Sequence, residues 1–475
     1  MAGFAWFLWA HTAATAGGAD SSGYLNSARL LAEGRLQTEL RLPPEISQLA
    51  AGERNAFTPL GFQPAFEPAF ISPTYPTGLP LHFALASRLF GWGVAAPLVV
   101  VVCAVAAVWL CFLVGREAGI STALAAAGAV ILGAFPVFLF SSIQALSDTP
   151  ATAWCLATLY FALRARRASG WAWACGLAFS VAVLVRPTNL VFAPAPLILL
   201  GFNFPRLLRF ALAGLPAAAW LAFYNTHQYG GPFLSGYGDI ASHFVASYGW
   251  PTLIHFAKWL AALLPSVVLV LPFFALVRSA PHRRAALALA MGFATLAGLY
   301  LFYDISHEVW WCLRFILPVV PALILCALLG VETLARGFGR RWPSAFRPAF
   351  ACALGVWAVA SSLAWTPSLG VFMIQRYEQA YEDAALAAKA ALPPDALVAC
   401  FAFSGSLYFY TPMSIVRSDI VEPHDFTRYS GTARAAGRAV CAVVFDFEEE
   451  ELRRRCPGKW KRVGGVANVG FWKLE

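Results

Sequence analysis

Little of this chain is charged. Asp, Glu, Lys and Arg make up 12% of its 475 residues, about half the share usual in soluble globular domains. The windows 93–114, 121–147 and 210–238 contain none of the four. Such gaps exclude an ordinary solvated surface, and stretches of about 20 apolar residues cross a bilayer as helices. Lysine is scarcer still, with five against 29 arginines, a composition that hints at a GC-rich bacterial genome. No Cys-x-x-Cys spacing occurs among the ten cysteines, so zinc-type ligation has no sequence basis. A Gly-x-x-x-x-Gly-Lys-Ser/Thr loop is also missing, which removes the usual signature of ATP binding. Charges in mid-span, expected of an ion-coupled transporter, are few.

The charge that is present is ordered. Arginines gather in alternate short links: Arg116; Arg164, Arg166 and Arg167; Arg206 and Arg209; Arg278, Arg283 and Arg284; Arg336, Arg340, Arg341 and Arg347. The links between them, at 140–148, 224–254 and 303–309, are nearly free of arginine. The positive-inside rule puts the basic links in the cytoplasm. It also explains the net charge of +9 without nucleic acid. Threading the chain accordingly predicts an all-α polytopic membrane protein of about 11 spans, near 2–18, 93–114, 119–139, 149–164, 170–186, 188–203, 206–223, 256–277, 284–303, 311–334 and 347–365. The first is short and has no basic n-region, so it reads as a truncated helix rather than a signal peptide.

Three regions then face outward. Residues 19–92 form a Pro-rich loop with short interfacial helices, among them an amphipathic stretch at 24–36 whose spacing suits the membrane surface. Residues 224–255 form the second. The tail, 366–475, predicts a small extracytoplasmic α/β domain beside a membrane domain of 1–365. It reads as a helix over 376–392, apolar strands at 397–403 and 439–445, and a charge-paired helix over 446–455. Cys400, Cys441 and Cys456 fall there, where a disulfide can form.

A few polar residues stand out at the outward edge. Asp20, just after the first span, is either a helix cap or a general base that takes a proton from an acceptor. Asp148 in Ser147-Asp148-Thr149-Pro150 is a cap before proline, a group flanking a substrate, or with Asp20 a ligand for a divalent ion such as Mg or Mn. Arg186 and Arg314 break the charge rule. Each is a snorkelling or paired arginine, or a fork suited to phosphate. His307 and Glu308 precede Arg314 and are weaker candidates for substrate contact.

In their order along the chain, these features resemble the GT-C class of membrane glycosyltransferases. The bacterial members in question are similar to dolichyl-phosphate-mannose-protein mannosyltransferases and lipid A aminoarabinose transferases. The resemblance spans about 1–365 and rests on Asp20 with Tyr24 and Ala28, Ser72-Pro73-Thr74-Tyr75-Pro76-Thr77-Gly78-Leu79-Pro80-Leu81, Ser147-Asp148-Thr149-Pro150, Val185-Arg186-Pro187-Thr188, Tyr229-Gly230-Gly231-Pro232-Phe233, and Leu313 to Pro321. It implies an inverting transfer of a sugar from a polyprenyl-phosphate carrier to an envelope lipid, glycan or protein, outside the bacterial inner membrane. Asp20 matches the acid that activates the acceptor, while Arg314 and, more loosely, Arg186 match places for the carrier phosphate. Tyr75 stands where aminoarabinose transferases carry the lysine of Lys-Pro-Pro, and Ser21 follows Asp20 where many members have a second acid. The missing lysine argues against aminoarabinose as the sugar, and Tyr75 in its place is a candidate for substrate or phosphate contact. The alternative is a membrane protein that binds or flips the carrier lipid without making a bond.

Overall fold

A computed structural model describes residues 1–46, 49, 51–278, 282–337 and 345–475. Arg340 and Arg341 of the last basic link lie outside the described residues. Residue contacts divide the chain into two units. The first comprises Met1–Thr12, Pro97–Leu221 and Asp239–Met373, and the second Ala13–Ala96, Ala222–Gly238 and Ile374–Glu475.

The first unit is helical. Among the described residues four helices are long and apolar enough to cross a membrane: Trp92–Glu117, Phe204–Tyr229, Trp310–Arg336 and Phe346–Ser368. A fifth results if Thr122–Ala134 and Pro136–Ser142, bent by 61°, form one span. The expected count of about 11 is not reproduced, and proline is the main reason. A proline removes a backbone donor and clashes with the preceding turn. The segment expected as one span at 256–277 is thus divided into Gly249–Leu263, a 3-10 turn Ser266–Leu269 and Pro272–Arg278. The segment near 188–203 becomes a 3-10 turn, Pro187–Phe192, followed by Pro194–Leu200. The first expected span is only Ala2–His11, which at about 1.5 Å per residue reaches roughly half of a bilayer core. On Phe204–Tyr229 the exposed Leu208, Leu212 and Leu215 form one apolar stripe, as suits a lipid-facing surface. At the basic links acids tie neighbouring helices together. Glu332, almost fully buried, accepts from the Ser121 amide at 2.7 Å and from Arg347 at 3.0 Å, and Glu117 pairs with Arg164 at 3.2 Å and Arg167 at 3.0 Å.

The second unit has one core drawn from distant parts of the chain. Strands β1 (Thr38–Glu39), β2 (Phe62–Pro64) and β3 (Phe70–Pro73) form an antiparallel sheet in the order β1-β3-β2. Strands this short leave no alternating pattern, so the region read as interfacial helices alone. The tail is α/β, as the sequence predicts. Strands β4 (Leu397–Cys400), β5 (Ser414–Arg417), β6 (Val440–Phe445), β7 (Trp460–Val466) and β8 (Val469–Leu474) lie in the order β5-β4-β6-β8-β7. Pairing is parallel around β4 and antiparallel from β6 outward. The helices Ile374–Ala391 and Glu449–Arg455 fall where expected. Leu30, Phe57, Phe62 and Ile71 share a core with Ala385, Val398, Phe403 and Val443.

Helix Ala19–Ala32 is the main correction here. Its residues Ser21 to Ala28 are all buried, so it does not lie on the membrane surface. The tail helix Ser404–Tyr410 takes up its polar groups: Asn26 donates to the Gly405 carbonyl at 3.0 Å, and Arg29 to the Phe409 carbonyl at 2.6 Å. All ten cysteines are unbonded, Cys400, Cys441 and Cys456 among them.

Candidate functional site

In the second unit, Asp20 occupies the first turn of Ala19–Ala32, and the N-cap residue is Gly18. The Tyr75 hydroxyl donates to Asp20 Oδ1 at 2.7 Å. Burial, and next the Asp20 carboxylate, push the Tyr75 phenol well above its ordinary range, so it remains a donor. Its ring is closely built in. It packs on Tyr24 with centroids 4.7 Å apart and meets Tyr237 edge-on at 6.1 Å. It also lies across Gly23, where an added Cβ would sit 2.3 Å from the ring.

The Tyr229-Gly230-Gly231-Pro232-Phe233 motif and the residues around it hold this loop. Tyr229 donates to the Pro73 carbonyl at 2.6 Å, and Ser72 donates to Gln228 at 2.6 Å. Gly236 lies so close to Thr74 that a Cβ would meet its carbonyl at 2.1 Å. Tyr75 is therefore a partner of Asp20.

Sequence reasoning missed Glu378, in the second turn of Ile374–Ala391. Its Oε1 accepts from the Gly18 amide at 3.2 Å. The tail also fixes the approach to Asp20: Ser406 donates to the carbonyls of Ala16 and Gly17 at 2.7 and 2.5 Å, and the Ala16 amide donates to the Tyr410 hydroxyl at 2.9 Å. No local pattern could have indicated these partners, because they come from the far end of the chain.

In the first unit, Asp148, Arg186 and Arg314 come together. Asp148 opens the helix Asp148–Ala165, with Ser147 as the N-cap residue. Arg186 follows helix Trp171–Val185 in extended conformation, φ −144° and ψ 106°, because a residue before proline is driven out of the helical region. Pro187 thus turns Arg186 onto Asp148, with which it makes a salt bridge. Arg314, in the 3-10 helix Trp310–Val319, stands 4.0 Å from the other carboxylate oxygen. Side-chain exposure is 5% for Asp148, 11% for Arg186 and 15% for Arg314.

Aromatic groups line these cations. Arg186 donates to the Tyr300 hydroxyl at 3.1 Å, which Thr188 meets at 2.9 Å. Arg314 lies 5.2 Å from the Trp311 centroid and 5.4 Å from that of Phe315. Tyr300 and Thr188, unremarked in the sequence, are part of the cluster. His307 instead stacks on Tyr248 at 5.4 Å, and Glu308 is exposed; neither takes part in the contacts of Asp148 described above.

Two guanidinium groups face the Asp148 carboxylate in a nearly dry site. Such an arrangement favours an anion and is hostile to a divalent cation. Among the described residues no group of three metal-ligating side chains occurs. The donor chemistry at Asp148 thus does not fit the Mg or Mn that the sequence left open, and no metal step is derived.

With its helical body and its small C-terminal sheet, the chain has a GT-C-like fold, shared with solved structures of two glycosyltransferases. The structure is similar to that of ArnT from Cupriavidus metallidurans bound to undecaprenyl phosphate, with a TM-score of 0.56 and 15% identity over 99% of this chain and 96% of that one. ArnT in the apo state matches with a TM-score of 0.56 and 16% identity over the same shares. The arabinofuranosyltransferase AftD from Mycobacteria gives a TM-score of 0.50 at 13% identity, over 95% of this chain and 39% of that one. No protein-family model and no curated protein sequence matches the chain.

Proposed function

We propose that the protein transfers a sugar from a polyprenyl-phosphate carrier to an envelope acceptor at the outer face of the bacterial inner membrane, through a membrane body of about 11 spans in the sense the charge pattern suggests. The observation that carries this proposal is the buried Arg186–Asp148–Arg314 cluster, whose two guanidinium forks suit a phosphate within a GT-C-like fold. ArnT, similar in fold, was seen with undecaprenyl phosphate bound.

In the reaction, an acceptor oxygen or nitrogen attacks the anomeric carbon while the bond from that carbon to the carrier phosphate breaks. The acceptor proton passes to Asp20. The electron pair of the broken bond goes to the phosphate, whose growing charge the arginines stabilise, an electrostatic contribution that costs no reorganisation at the moment of reaction. Tyr75, donating to Oδ1, holds the Asp20 carboxylate in one orientation.

Nanodisc-embedded protein and its variants provide the test. Arg314→Ala is expected to weaken binding of undecaprenyl phosphate about 10- to 100-fold, the equivalent of losing one hydrogen bond to a charged group. Asp20→Asn is expected to bind the carrier normally while abolishing the sugar decoration seen by mass spectrometry of envelope glycans and lipids. Carrier binding with no decoration lost on deletion of the protein would instead identify a binding or flipping protein.

A further inference from the structure

Glu378 is built into the turn that presents Asp20. A Cβ on Gly17 would lie 2.3 Å from Glu378 Oε2 and 2.6 Å from its carboxyl carbon, so this approach requires glycine at position 17. Oε1 takes the Gly18 amide, and the Ser21 hydroxyl also reaches the carboxyl group. Oε2 is buried and, among the described residues, has no hydrogen-bond partner. The titratable groups facing Glu378 are Asp20 from the opposing helix and, on its own helix, Tyr381. Glu382, one turn further, turns to Tyr410. None of these groups carries a positive charge. An ionised Glu378 would therefore hold a buried oxygen without a donor, next to a second negative charge, and both circumstances are costly.

We infer that Glu378 and Asp20 form an acid pair bearing one charge, in which Glu378 keeps its proton and thereby holds the negative charge on Asp20. Burial has the largest influence and pushes the Glu378 carboxyl up; the hydrogen bonds from Ser21 and the Gly18 amide pull it down, and Asp20 adds a smaller push in the same sense as burial. The inference rests on Asp20 being the base proposed above. During transfer the acceptor proton moves to Asp20 and the Glu378 proton stays in place, so Glu378 is a positioning residue.

Infrared titration of the full-length protein in nanodiscs tests the pair without any substrate. The wild type is expected to show, at neutral pH, the carbonyl stretch of a protonated carboxylic acid that disappears in Glu378→Gln. In Asp20→Asn, with the neighbouring charge gone, the midpoint of that signal should move to lower pH. Glu378→Gln keeps the shape of the side chain and its Gly18 contact, so loss of the band in a folded variant reports on the proton. Absence of the band in the wild type, or a midpoint unmoved by Asp20→Asn, would overturn the pair and leave the base proposal intact. A shifted midpoint together with undiminished transfer in Asp20→Asn would overturn the role given to the pair and Asp20 alike.

Discussion

At the scale of single residues, Tyr75 is a position that the sequence picks out but whose partner only the fold reveals. Its alignment with a lysine suggested phosphate contact, whereas its hydroxyl is 2.7 Å from Asp20. Tyr75→Phe keeps the ring in place between Tyr24 and Tyr237 and removes one hydrogen bond to a charged group, worth roughly 1.5–3 kcal/mol. If that bond orients the base, transfer should fall about 10- to 100-fold while undecaprenyl phosphate binding is unchanged. Equal loss of both would place Tyr75 at the carrier after all. Arg186 and Arg314 were identifiable as exceptions to the charge rule, and Asp148 as an acid at the outward edge. Their mutual pairing was not, since it depends on the turn at Pro187 and on Tyr300 and Thr188, ordinary residues with nothing in the sequence to distinguish them.

At the scale of elements, helix Ala19–Ala32 is positioned by what it lacks. Gly23 leaves room for the Tyr75 ring and also meets the Cα of Gly61, which has φ +85°. Gly23→Ala improves helix propensity by roughly 1 kcal/mol, yet its Cβ would sit 2.3 Å from the ring. Overpacking of that kind costs on the order of 1–3 kcal/mol. The expected outcome is a lower Tm together with loss of transfer comparable to that of Tyr75→Phe; a higher Tm would mean the ring moves aside freely. Helices and strands of the tail were legible because their apolar periodicity is local. The small β1-β3-β2 sheet was not, its strands being two to four residues long. Fewer long apolar helices occur among the described residues than spans were expected where prolines divide apolar runs, because hydropathy records how greasy a segment is and says nothing of whether its helix is continuous.

At the scale of the whole molecule, the buried carboxyl of Glu378 makes stability depend on pH. Its folded value lies above the ordinary 4.5, so as pH rises the unfolded chain releases this proton first. The stabilisation is complete below about 4.5 and is lost as pH climbs through the raised folded value. Glu378→Gln, which cannot ionise, should therefore raise Tm relative to the wild type at pH 8 and leave the difference near zero at pH 4, as measured by thermal unfolding in detergent. The opposite trend would show that Glu378 is charged in the folded protein. The fold was legible in the sequence through motifs that keep their order. The second unit was not, because its core joins stretches that no window of sequence can compare.

That shared core also has a consequence in time. Residues 13–96 leave the ribosome early, yet Leu30, Phe57 and Ile71 wait for Val398, Phe403 and Val443. At ordinary rates of synthesis the delay is on the order of tens of seconds. Throughout that interval the stretch bearing Asp20 has no Ser406, Tyr410 or Glu378 to hold it. The turn that leads into Asp20 thus stays without these contacts until the tail is made, and a nascent chain stalled before residue 378 lacks all three.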